Sequence, residues 1–105
     1  MTELVHRNVE SGVATVTLDS PHNRNALSAR LVADLAAHLK EALADDAVRV
    51  IVLTGTGSVF CSGADLKEQR NPKSAPVTAS LPDVLTMIWN SPKPVLCRLN
   101  GTARA

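Results

Sequence analysis

Val59-Phe60-Cys61-Ser62-Gly63-Ala64-Asp65-Leu66-Lys67-Glu68 runs from an apolar strand end, through small residues, into a helix start. Gly63 has no Cβ and Ala64 only a methyl, so their N–H groups are open to a substrate oxygen that a larger side chain would hold off. Asp65 suits an N-cap, and Glu68 three residues on makes a capping-box-like pair with it. Free N–H groups at a helix N-terminus attract developing negative charge. The guest these features suit is a polarised carbonyl oxygen. The plainer alternative is a tight strand-to-helix turn and nothing more.

Outward from this stretch, the pattern predicts an α/β chain. Residues 48–53 form a nearly continuous β-branched run, as expected of a parallel strand covered on both faces, and Gly55-Thr56-Gly57-Ser58 ends it. Before it, Ser28 is the predicted N-cap of a helix carrying Leu31, Leu35, Leu39 and Leu43 at helical spacing, with Val32 and Ala36 beside them. Asp45-Asp46 marks its stop, since carboxylates sit badly at the negative end of a helix. Residues 4–9 and 13–18 flank Glu10-Ser11-Gly12 and read as a β-hairpin. Strand, helix, strand with short links predicts a βαβ unit. Residues 20–25, rich in loop formers, are expected to lie outside the core, with Asn25 bonding within its own loop.

Beyond the opening stretch, Pro72 forbids continuation of the short helix from Leu66. Residues 71–80, with two prolines and little apolar content, are the predicted mobile loop. A helix over 80–89, apolar through Val84, Leu85, Ile88 and Trp89, and a strand over 95–99 complete the reading. The whole is one unit, with no repeat and no linker.

Composition excludes several classes. A formal charge of +1 over 105 residues with no basic run argues against nucleic-acid binding by bulk electrostatics. No segment approaches the roughly eighteen apolar residues that span a bilayer, and the N-terminus lacks a signal peptide's basic and apolar regions. Cys61 and Cys97 match neither zinc nor redox spacing, and Asp45, Asp46, Asp65 and Glu68 form no metal-ligand pattern, so no metal is expected. Reduced thiols predict a cytoplasmic protein. Nothing sets a histidine beside Cys61, which reads as a structural cysteine. Gly55-Thr56-Gly57 lacks the third glycine of a dinucleotide loop.

Three stretches carry a family resemblance. Phe60 to Glu68, read F-x-x-G-A-D-L-K-E, resembles the motif of the crotonase (enoyl-CoA hydratase/isomerase) superfamily. Asn23-Arg24-Asn25-Ala26-Leu27-Ser28 is similar to its N-x-N-A-L loop, and Pro92-Lys93-Pro94-Val95 through Asn100-Gly101 to its P-K-P-hydrophobic-N-G strand. Cys97 and Arg98 depart from the small residues usual there, and Arg104 and Ala105 from a leucine and the first glycine of a glycine-rich turn.

The resemblance implies the N-terminal part of a crotonase fold of repeated ββα units in a spiral, residues 1–105 ending before the second oxyanion-hole glycine. It implies an enoyl-CoA hydratase-like lyase or isomerase of fatty acid metabolism. In it the backbone N–H of Ala64 supplies half of an oxyanion hole for a thioester enolate. Arg24, Ala26, Ser62, Gly63, Asp65, Leu66 and Lys67 then border coenzyme A, and Lys67 or Arg24 offers a phosphate contact. For the two side chains Asp65 and Lys67, a capping and a solvated role are equal alternatives. The coenzyme A thioester is the substrate and no further cofactor is implied. A homotrimer or hexamer is implied as well. This chain alone is expected to be inactive; the alternative is a non-catalytic fragment or a partner chain that needs a separate C-terminal chain to complete the fold.

Overall fold

A computed structural model describes residues 4–20, 24–63 and 81–104. Strands β1 (Val5–Glu10) and β2 (Val13–Leu18) form the expected hairpin, antiparallel with Val5 opposite Leu18 and Glu10 opposite Val13. Its two-residue turn places Ser11 at φ 52 and Gly12 at φ 82. Positive φ at both positions matches the twist of the strands, and glycine adopts it without cost.

Helix α1 (Ala29–Ala44) starts where Ser28 predicts: the Ser28 side chain accepts from the N–H of Leu31 at 3.1 Å. It stops at Asp45, whose carboxylate accepts from the N–H of Ala47. No basic residue of α1 lies in its last turn. The cation comes from far along the chain instead: Lys93 Nζ donates to the carbonyls of Ala42 and Asp45 at 2.9 and 2.8 Å. Strand β3 (Val50–Gly55) then pairs in parallel with β2, completing the βαβ unit.

Past the hairpin and this unit come β4 (Val59–Ser62), helix α2 (Leu81–Trp89), β5 (Val95–Cys97) and β6 (Thr102–Arg104). The main sheet has the order β1-β2-β3-β5, with β5 parallel to β3, and a separate two-stranded sheet joins β4 to β6. Partners in register share a face. Ala14 stands opposite Ile51 and Val16 opposite Leu53, and all four are buried against Leu31, Val32, Leu35, Ala36 and Leu39 of α1. On the same face Arg7 reaches past the core edge to the His38 carbonyl and the Glu41 carboxylate of α1.

Three expectations need correction. Val50 and Val52 are half-buried, so among the described residues one face of β3 is fully covered rather than two. The covered side of α2 is Val84, with Met87 and Ile88 against the core, while Leu85 is 56% and Trp89 88% exposed. Strand β5 is three residues long, with Leu96 and Leu99 exposed. The helix expected from Leu66 and the loop expected over 71–80 lie outside the described residues.

Candidate functional site

The site region is the meeting of three segments: the 24–27 loop, the turn and strand over 55–63, and the link from β5 into β6. Thr56 fastens the turn to the end of β2. Its N–H donates to the Leu18 carbonyl at 2.9 Å and its hydroxyl to Asp19 Oδ1 at 3.0 Å. The other Asp19 oxygen bonds His6 Nε2 at 2.6 Å. The bond from His6, then that from Thr56, hold the Asp19 carboxyl below its ordinary range against the opposing pull of burial.

The loop expected to lie outside the core has a buried polar end. Asn25 is wholly buried, and Ser20 nearly so. Buried amides need partners, and Asn25 finds them on both sides. Its Oδ1 accepts from the N–H of Ser20 at 2.7 Å and its own N–H donates to the Ser20 carbonyl at 2.9 Å. That is the bonding within the loop that the sequence predicts. Its Nδ2 reaches out of the loop to the carbonyls of Val59 and Phe60 at 3.0 and 3.1 Å, with Thr56 further off at 3.4 Å. Asn100, from the link before β6, donates to the carbonyls of Gly57 and Val59 at 2.9 and 3.3 Å. Gly55 leaves room between the two amides: a Cβ there would stand 3.0 Å from Asn25 Nδ2 and from Asn100 Oδ1.

At its far end the loop reaches the opening motif. The N–H of Leu27 donates to the carbonyl of Gly63 at 2.7 Å. Ala26, next to Leu27, is buried, and Arg24 is exposed. Arg24 also lines, with Thr56, Gly57, Ser58 and Val59, a recess of about 150 Å3. Gly63 is buried at φ 93, a conformation that favours glycine, and Ser62 is half-buried at the end of β4. Ala64, Asp65, Leu66 and Lys67 lie outside the described residues.

Strand β6 is an addition to the sequence reading. It runs parallel to β4, with Val59 opposite Thr102 and Ser62 opposite Arg104 and an irregularity between Val59 and Cys61. Ser62 and Arg104 therefore end their strands side by side. Asn100-Gly101 was the available signal: an amide that bonds a turn, then a glycine where two backbones close up.

Both cysteines are free, Cys61 buried and Cys97 exposed. Among the described residues no group of three metal-ligating side chains gathers, and no helix is long and apolar enough to cross a membrane.

Comparison with known proteins places this geometry. A family model described as enoyl-CoA hydratase/isomerase matches residues 8–105. The 1,2-epoxyphenylacetyl-CoA isomerase of Escherichia coli K12 is 35% identical over 98% of this chain and 42% of its own length. The structure of OdaA from Pseudomonas aeruginosa superposes with a TM-score of 0.78 at 31% identity, over 91% of this chain and 39% of that one. Enoyl-CoA hydratase EchA8_6 from Mycobacterium marinum gives 0.83 at 28% identity, over 90% of this chain and 46% of that one. The chain thus spans about two fifths of the length of these relatives. On the family match and the shared fold, it belongs to the enoyl-CoA hydratase/isomerase family.

Proposed function

We propose that the whole protein acts on a coenzyme A thioester, hydrating a 2-enoyl-CoA or shifting its double bond through a thioester enolate. The observation that carries this reading is the parallel pairing of β4 with β6, with Ser62 opposite Arg104. It sets the ends of two strands side by side, as two backbone donors aimed at one oxygen require. The N–H of Ala64 is the first donor and an N–H beyond Ala105 the second. Fixed donors aimed at developing charge lower such barriers by a few kcal/mol each, on the order of 3 kcal/mol. A further residue of the whole protein moves the proton.

In this reading Arg24 and Ala26 on one side, and Ser62, Gly63, Asp65, Leu66 and Lys67 on the other, border the coenzyme A moiety. The bond from Leu27 to Gly63 supports it by holding the two sides together. The substrate brings its own coenzyme A and the reaction needs no further cofactor. The protein works in the cytoplasm as a homotrimer or a pair of trimers, and the 105-residue chain by itself is inactive.

Crotonyl-CoA tests the proposal. Its enoyl thioester absorbance is expected to decay with the whole protein and to persist with this chain alone. No turnover of any acyl-CoA by the whole protein, with coenzyme A also failing to bind, overturns it.

A further inference from the structure

We propose that Asn25 is a positioning residue for the acyl-CoA site. Its carboxamide never touches substrate, and it sets where the 24–27 loop stands against β4 and the Gly63 turn. The proposal takes the site from the functional reading above.

The argument starts from strain. Arg24 and Asn25 both adopt φ 56. Asparagine tolerates the left-handed region because its short side chain bonds locally, whereas arginine there costs on the order of 1 kcal/mol. Such a conformation persists only where the surroundings over-determine it. Here they do, because Asn25 is wholly buried and bonded in two directions. The reciprocal pair with Ser20 closes the loop on itself. The Nδ2 group then ties that closed loop to the carbonyls of Val59 and Phe60 at the start of β4.

The same loop meets the other end of β4 through Leu27 and Gly63. The loop therefore spans β4 and is fixed at both ends, once by a side chain and once by main chain. The side-chain end is the one a substitution can release. Asn100 donates to the same Val59 carbonyl that Asn25 holds, and Gly101 packs on Ser58. Without Asn25, Asn100 still holds the Val59 carbonyl and β6 still pairs with β4. The expected fault is a shift of Arg24 and Ala26 relative to Gly63, with the main sheet undisturbed.

Amide hydrogen exchange on the full chain reads this directly. In the native protein the Asn25 carboxamide protons and the Leu27 N–H are expected to open together, at a rate distinct from that of Ile51, whose N–H bonds the Pro94 carbonyl. In Asn25→Ala, Leu27 is expected to exchange about tenfold faster while Ile51 keeps its native rate. Unchanged exchange at Leu27, or equal acceleration at Leu27 and Ile51, overturns the proposal, the second because it marks a merely structural loss.

If Asn25→Ala does not fold, the joint opening in the native protein decides alone, and independent rates for Asn25 and Leu27 overturn the idea. Where Asn25→Ala folds, crotonyl-CoA titration of the whole protein reads the consequence: binding about tenfold weaker in the variant. Native affinity in a variant whose Leu27 has loosened also overturns it. A native protein that ignores crotonyl-CoA defeats the functional reading instead, and the exchange rates still decide how Asn25 holds the loop.

Discussion

A Cβ on Gly101 would stand 2.0 Å from the carbonyl oxygen of Ser58 and 2.7 Å from its carbon. Both obstacles are backbone, so neither can swing aside as a side chain does. Gly101→Ala must therefore push β6 from the turn that leads into β4. Overpacking of this kind costs about 1–3 kcal/mol. Urea denaturation is expected to show that loss, with faster exchange in β4 and β6; a native midpoint would mean that the two backbones stand further apart in solution.

Asp19 makes stability depend on acid. The fold holds its carboxyl below the ordinary value of about 3.9, so the ionised form is favoured on folding. Its contribution is fully present above that ordinary value and is lost as pH falls through the lower, folded one. With the group partly open to solvent, Asp19→Asn is expected to cost no more than about 1 kcal/mol at neutral pH. The gap from the native protein should close on acidification below about pH 4. An NMR titration of the Asp19 carboxyl with a midpoint above 3.9 contradicts this.

Lys93 acts on a helix it does not belong to. Its ammonium bonds two carbonyls at the C-terminal end of α1, where a positive charge also meets the negative pole of the helix. Lys93→Met keeps the stem and removes the charge. The expected loss is about 1 kcal/mol, shrinking with added salt. A loss insensitive to salt would assign the effect to the hydrogen bonds alone.

Trp89 is the sole tryptophan, and it is 88% exposed. Its emission in the native state is expected to resemble that of indole in water, with little shift on unfolding. Trp89→Ala should change stability by less than about 0.5 kcal/mol. Val84→Ala, on the covered side of the same helix, should cost about 2 kcal/mol. Blue-shifted native emission would show that something covers Trp89 in solution.

Much of the fold was legible because its signals are local. Ser11-Gly12 announces the hairpin, Ser28 the helix start and the run ending at Leu53 a parallel strand. What escaped depends on partners distant in the chain. The burial of Asn25 follows from carbonyls 34 and 35 residues away, which no composition rule for a polar loop can supply. Strand β6 is too short to show a period and exists through its pairing with β4. In α2, Leu85 and Trp89 are as apolar as Met87 and Ile88, and only the position of the sheet decides which pair is covered. Of the candidate site, the loop and the Gly63 turn were readable as motifs; that they touch was not.

The order of the main sheet also sets a timetable for the nascent chain. Strand β3 meets β5 through pairs such as Leu53 and Cys97, 44 positions apart. At ribosomal rates that interval is on the order of several seconds. Throughout it one rim of β3 presents bare peptide groups to whatever strand drifts by, so synthesis itself holds open a window for mispairing that the finished sheet closes.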